Sequence, residues 1–333
     1  MHDDSSLTLK LARGGDEQAF RQLVEPHRRE LRAYCYRMAG SLEDAEDLLQ
    51  DSLIRAWRGL AAFEGRSSLR TWLYRVTWSA CVDALEKKPA RALVVDASPA
   101  SDPRDPIPPP RADDWIGPCN AALYADDAPS PEARYSARES VALAFLAALQ
   151  LLPAKQRAAL LARDVLGWSA EECAEMLGGS VASANSLLQR ARETIEARGP
   201  RFRARLPDEP TTRSLLGRYV AAWEGADVSA LVSLLHEEAT LAMPPLPIWL
   251  SGPAAIGASI AGMVLTPEAR GAFRLIPTEA NGLPALAAYR RGEDGSFTPF
   301  AIHVLSLRDD RIDAITAFLD PRLFERFGLP ASV

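Results

Sequence analysis

Ten prolines between residues 89 and 134 decide how this 333-residue chain has to be organised. Pro89, Pro99, Pro103, Pro106, Pro108, Pro109, Pro110, Pro118, Pro129 and Pro131 each lack an amide hydrogen and clash with the preceding turn, so no helix runs through the stretch. The flanking segments have helical periodicity and few helix breakers. The chain is therefore read as separate bodies joined by connectors: a helical module over 8–88, an extended acidic linker over 89–134, a second helical module over 135–206 and a last domain over 211–330. The last domain begins with two helices, about 212–225 and 228–236. It then alternates like strands in ATLAMP (239–244), FRLIPTEA (273–280), ALAAYRR (285–291), PFAIHVLSLR (299–308) and RIDAITAFL (311–319). Helices followed by a strand meander predict an α+β domain with a curved sheet. Trp115, in Asp114-Trp115-Ile116-Gly117-Pro118, is a bulky aromatic in a polar tether and predicts a docking point on another surface.

The net charge of −6 excludes a uniformly basic nucleic-acid binder, but the charge is unevenly divided. Lys+Arg against Asp+Glu is 14 and 14 in residues 1–88, 4 and 8 in 89–134, 10 and 7 in 135–206, and 10 and 15 in 207–333. Only 135–206 is net basic. No run of 18 apolar residues occurs, and the acidic start MHDDSSLTLK has no apolar core, so neither a membrane span nor a secretion signal is expected. Cys35, Cys81, Cys119 and Cys173 have no CxxC spacing and no nearby histidine. No metal, cofactor or disulfide framework is predicted, and a reducing cytoplasm is the expected location.

Residues 43–85 read as two amphipathic helices joined by a short loop. In the first, Ala45, Leu48, Leu49, Ser52, Ala56 and Leu60 fall on one face, and Asp44, Asp47, Gln50, Asp51 and Arg55 on the other. In the second, Leu69, Trp72, Leu73 and Val76 form the predicted buried stripe. Arg70, Tyr74, Arg75, Trp78 and Ser79 lie on more exposed arcs, where arginine can pair with phosphate while rings stack on unpaired bases. The small polar loop 63–68 is able to surround an extruded base.

The string EDAEDLLQDSLIRAW followed by FEGRSSLRTWLYRV resembles region 2 of bacterial sigma factors of the extracytoplasmic-function group. The resemblance implies that Asp44, Asp47, Gln50, Asp51 and Arg55 bind the RNA polymerase core, through a coiled coil of β′. It implies that Ser67, Arg70, Tyr74, Arg75, Trp78 and Ser79 face the melted −10 strand. Where the family pattern runs R-I-A-x-N-x-C-x-D, this chain has Ser79 in place of the Asn.

The second module has helix-turn-helix punctuation. Ser169 with Glu172 makes a capping box, Gly178-Gly179 ends that helix, and Ser180 caps the next. Val181, Ala184, Leu188, Ala191 and Ile195 form the inward stripe of the second helix, leaving short polar and basic side chains outward and a basic tail of Arg198, Arg201, Arg203 and Arg205 behind it. The stretch LLPAKQRAALLARDVLGWSAEECAEML resembles region 4 of the same family. Ser183, Asn185, Ser186, Gln189, Arg190 and Arg192 are the expected contacts to −35 promoter DNA, and β is a further polymerase partner.

The last domain, from YVAAWEGADVSALVSLLHEEAT to the closing strands, resembles the SnoaL-like branch of the NTF2-like superfamily, a cone of helices and curved sheet around an apolar pocket. Trp223, Trp249, Asn281, Tyr289 and His303 are the candidate pocket residues, with or without a small ligand. Asn281-Gly282-Leu283-Pro284-Ala285 resembles a motif of sigma factors carrying this domain. No Asp–His pair is apparent, so catalysis is not expected. The expectation is a multidomain chain, two all-α modules plus an α+β cone, that directs promoter-specific transcription and is regulated in cis by its last domain through packing on the sigma modules. Two rivals account for part of the pattern: an enzyme fused to DNA-binding modules, and a ligand-sensing helix-turn-helix repressor.

Overall fold

The fold was taken from a computed structural model of the chain, which describes residues 2–86, 88–111, 114–123, 140–197 and 209–333. Two compact units emerge. One holds Met1–Arg91 with Leu123–Ser140 and Phe145–Pro200; the other holds Ala92–Ala122, Val141–Ala144 and Arg201–Val333. The basic tail expected at Arg198, Arg201, Arg203 and Arg205 lies outside the described residues.

The first unit is all helical. Its leading half contains α1 (His2–Arg13), α2 (Glu17–Ala39), α3 (Leu42–Gly59) and α4 (Leu69–Leu85). Each boundary has a chemical cause. Asp16 accepts from the amides of Gln18 and Ala19 at 2.9 Å and starts α2. Gly40, at φ 74°, ends it by donating its own amide to the Tyr36 carbonyl at 2.7 Å, a left-handed cap that a side chain would strain. Ser41 and Ser68 cap α3 and α4. Ala45, Leu48, Leu49, Ser52 and Ala56 are buried as the periodicity of α3 predicts, against a core that includes Leu31, Tyr34, Cys35 and Met38.

The trailing half of this unit contains α6 (Leu143–Gln150), α7 (Ala154–Leu160, prolonged by one π turn over Leu161–Val165), α8 (Ala170–Leu177) and α9 (Val181–Glu196). The Ser169–Glu172 capping box closes in both directions, at 3.1 and 2.8 Å, and Gly178 ends α8 at φ 67°. Arg157 of α7 is buried. It donates to the Met38 carbonyl at the open end of α2 and to the side chain of Gln150 at 2.9 Å. The two helical modules are thus joined at carbonyls that α2 leaves without helical partners. Burial pushes the Arg157 guanidinium down to about 10.

The second unit is α+β, with helices α10 (Glu209–Glu224), α11 (Val228–Ser233), α12 (Pro253–Met263) and α13 (Arg322–Arg326) and six strands. The strands are β1 (Leu235–Ala242), β2 (Trp249–Ser251), β3 (Phe273–Ala280), β4 (Leu283–Arg291), β5 (Phe297–Arg308) and β6 (Arg311–Phe318), in the order β2-β1-β6-β5-β4-β3. Only the β1–β6 pair is parallel. A core of Leu215, Tyr219, Trp223, Ile256, Ile260, Leu286, Ala288, Leu305 and Ile315 lies between helices and sheet.

The linker belongs to this second unit up to Ala122, and it contains the short helix α5 (Val94–Ala97). Trp115 is buried with Val94 and Ala242, and its indole donates to the Pro245 carbonyl at 3.0 Å. Trp249 answers from β2, donating to the Ser98 carbonyl at 2.8 Å, while the Ser101 amide donates to the Trp249 carbonyl at 2.8 Å. The linker's backbone groups are satisfied partly by these bonds and partly by its own bridge, in which the Ala92 amide donates to the Asp114 carbonyl at 2.9 Å and the Ile116 amide to the Ala92 carbonyl at 3.1 Å.

Candidate protein and nucleic-acid interfaces

On α3, Asp47 and Gln50 are exposed. Asp51 pairs with Arg55 at 2.9 Å, one turn on, and Arg55 reaches across to Asp83 of α4 at 2.5 Å. Asp44 departs from this pattern. Its carboxylate is 12% exposed, and both oxygens are taken, one by Lys88 at 2.7 Å and one by Arg91 at 2.8 Å. Burial alone would raise this carboxyl, but the two cations outweigh it and hold it below the usual range. Asp44 therefore ties down the chain leaving α4 and is not presented to a partner as Asp47 is. Periodicity sorts faces but does not reveal which carboxylate a distant lysine will claim. Ile54, 41% exposed, shares the outer side of α3, and the charge pattern alone had drawn attention away from it.

The arcs of α4 are less open than the periodicity predicts. Ser67 is half-buried, and Arg75 and Ser79 are exposed, but Tyr74 is fully buried and Trp78 is 7% exposed. Tyr74 is covered from both modules, by Tyr34 of α2 with ring centroids 5.3 Å apart and by the second module. Trp168, on the turn before α8, meets the Tyr74 ring edge-on with centroids 4.9 Å apart. The Arg70 guanidinium lies 5.4 Å from both ring centroids and makes a two-pronged bond to Glu30 of α2, at 2.9 and 2.7 Å. His27 adds a third contact to Glu30 at 2.8 Å. Burial works to raise Glu30, and the bonds from His27 and Arg70 overcome it to leave the carboxyl lowered. Side chains that would reach a single strand are thus engaged by Glu30 and Trp168, two residues that sequence periodicity did not flag.

On α9, Ser183, Asn185, Ser186, Gln189, Arg190 and Arg192 are all exposed. Ala184, Leu188 and Ala191 face inward, whereas Val181, expected inside, is 37% exposed on the first turn. Arg192 is held by Asp164 at 2.6 Å, and Arg190 folds back on the Ser186 carbonyl at 3.2 Å. The outer face of α9 presents short polar side chains of a size that fits against base edges.

The five candidate pocket residues do not form one group. Trp223 and His303 pack with ring centroids 4.7 Å apart, and the Tyr219 hydroxyl lies 3.1 Å from His303 Nδ1. Tyr289 follows Ala288, which faces the helices, so strand alternation puts its ring on the other side of the sheet against Phe324. Trp249 is spent on the linker. Asn281, in the left-handed region at φ 54° and fully buried, holds the connector at two places. Its Oδ1 accepts the Cys119 amide at 3.0 Å, its amide donates to the Cys119 carbonyl at 2.9 Å, and its Nδ2 donates to the Val141 carbonyl at 2.7 Å. Among the described residues no cluster suited to a metal is present, and no helix is long and apolar enough to cross a membrane.

Residues 23–91 match the Sigma-70 region 2 family and residues 142–195 match Sigma-70, region 4. The chain is 45% identical over 313 residues to the ECF RNA polymerase sigma factor SigG of Mycobacterium tuberculosis, covering 93% of this chain and 84% of that protein. It is 31% identical over 195 residues to SigM of the same species, covering 58% of this chain and 84% of SigM. Among solved structures, the extracytoplasmic function sigma factor SigJ of M. tuberculosis aligns at 25% identity with a TM-score of 0.59, over 93% of this chain and 99% of that one.

Proposed function

The chain belongs to the extracytoplasmic-function sigma factors, and from that premise we propose that its last domain regulates promoter recognition by holding the connector between the two DNA-binding modules. As a sigma factor it is a transcription initiation factor, not an enzyme, and it directs RNA polymerase to chosen promoters. In our reading Asp47, Gln50, Asp51 and Arg55 dock on the polymerase core. Ser67, Arg70, Tyr74, Arg75, Trp78 and Ser79 serve the −10 strand, and the outer face of α9 serves the −35 duplex. Asp44 is left out of the docking set because its oxygens are already bonded.

The single observation behind the regulatory reading is the clasp at Asn281. One buried side chain bonds the linker at Cys119 and again at Val141, two residues before α6 opens the second module. A domain that grips both points restricts how far the two modules travel apart, and promoter recognition needs −10 and −35 contacts together. The engaged state of Arg70 and Tyr74 fits a resting form. The domain itself is read as non-catalytic: His303 is fully buried with its Nδ1 3.1 Å from the Tyr219 hydroxyl, so the ring is engaged inside the core and not presented to a substrate. The test is run-off transcription with core polymerase, comparing the chain with Asn281→Ala. Higher transcript yield from the variant at equal polymerase affinity is expected. Unchanged yield, with Cys119 and Val141 demonstrably released, sinks the clasp as a regulator and leaves the sigma assignment standing.

A further inference from the structure

A cavity of about 140 Å³ lies where the linker crosses the α+β domain, away from the Trp223–His303 pair. The linker supplies Ile107 and Pro108, and the domain supplies Ile248, Leu250, Ser259 and Met263. Two large apolar side chains that the chain leaves exposed, Ile107 at 53% and Met263 at 41%, sit on its lining. Isolated exposed apolar residues are ordinary, but two on one cavity make an apolar entrance. Inside, Ser259 is 4% exposed and its hydroxyl donates to the Met263 sulfur at 3.2 Å. A thioether is a weak acceptor, so an oxygen acceptor arriving in the cavity competes well for that hydroxyl.

We propose that this cavity is a binding site for a neutral, single-ring organic molecule carrying one oxygen acceptor, with the ring against Ile107, Pro108, Ile248 and Leu250 and the oxygen on the Ser259 hydroxyl. Size sets the ring count: an apolar cavity of roughly 150 Å³ is filled by one benzene-sized molecule. Charge excludes an anion. Asp102 and Asp105 also line the cavity, and Asp102 is matched by Arg104 at 2.6 Å, so the wall offers no free cation to an anion. Because one wall is linker, an occupant makes contacts that exist only while the linker lies on the domain, and it stabilises that arrangement by mass action. The site stands independently of the Asn281 clasp.

The test uses the full chain and two probes, acetophenone and toluene, titrated by ligand-observed and protein-observed NMR. Both are expected to bind with a dissociation constant of about 0.1–10 mM, acetophenone the tighter. Ser259→Ala is expected to weaken acetophenone about fivefold and toluene less than twofold, while Met263→Trp, at an exposed position, plugs the entrance to both. Absence of binding by either probe up to its aqueous solubility overturns the proposal. So does binding that ignores Met263→Trp, which places the probes elsewhere, or a Ser259→Ala effect equal for the two probes, which removes the hydroxyl from recognition.

Discussion

Neighbouring carboxylates on α3 have different work. Asp44 is half-buried and bonded to two cations, whereas Asp47 is exposed. Removing a partner from a charged hydrogen-bonded group costs roughly 1.5–3 kcal/mol, and an exposed carboxylate away from such contacts costs about nothing in stability. Asp44→Ala is therefore expected to lower the unfolding free energy by about 2 kcal/mol, and Asp47→Ala to leave it unchanged while weakening core polymerase. Urea melts beside a polymerase-binding assay separate the two; equal stability losses, or full binding by Asp47→Ala, contradict the division. His303 gives a second residue-scale outcome. Its folded value of about 4 lies below the ordinary 6.5, so between those values the unfolded chain binds the extra proton. The contribution is intact above pH 6.5 and fades as pH falls towards 4, on the order of 3 kcal/mol in all. Unfolding measured at pH 7 and pH 5 is expected to show a steeper loss in the wild-type chain than in His303→Gln. Parallel slopes would mean that His303 is not buried neutral.

At the scale of elements, α4 shows what a sequence reveals and what it withholds. The burial of Trp72 and Leu73 follows from spacing alone. The burial of Tyr74 does not, because its ring is covered by Tyr34 of α2 and by Trp168, a residue 94 positions away on a different module. The same holds for the pocket candidates: the resemblance of the last domain offered Trp249 and Asn281 as pocket residues, but only the path of the linker assigns them to the connector. Docking of Trp115 was legible as a need, a large ring in a polar tether, without its acceptor being legible. The α4–Trp168 contact also yields an outcome. On the proposed −10 role of Arg70, Glu30 would compete with phosphate for it, so Glu30→Gln is expected to free the guanidinium and tighten binding of a single-stranded −10 oligonucleotide by about fivefold, near 1 kcal/mol. Fluorescence anisotropy at two salt concentrations checks it, since a released arginine adds to the salt slope. Weaker binding by Glu30→Gln would make Glu30 a support that aims Arg70 and not a competitor.

For the whole molecule, the decisive question is whether the linker lies on the α+β domain through independent bonds or as one cooperative strap. The bonds at Ser101–Trp249, Trp115–Pro245 and Cys119–Asn281 are made at separate points of the linker. Among the described residues, the linker's own backbone bonds between 101 and 119 are local, Asp105 to the Asp102 carbonyl at 3.0 Å and Asp114 to the Arg111 carbonyl at 3.4 Å, and the bridge from Ala92 to Asp114 and Ile116 reaches neither Ser101 nor Cys119. Each bond should then open on its own, with local free energies well below the global value. Asn281→Ala is accordingly expected to raise amide exchange at Cys119 about tenfold, the equivalent of 1.4 kcal/mol, while the Ser101 amide, bonded to the Trp249 carbonyl, exchanges as before. A cooperative strap predicts instead that both amides accelerate together. Independence has a functional consequence. It lets the Cys119–Val141 end be released while the Trp115 end stays in place, so the second module gains freedom without the domain letting go of the chain. If both ends accelerate together, graded control of that kind is unavailable and release becomes all-or-none.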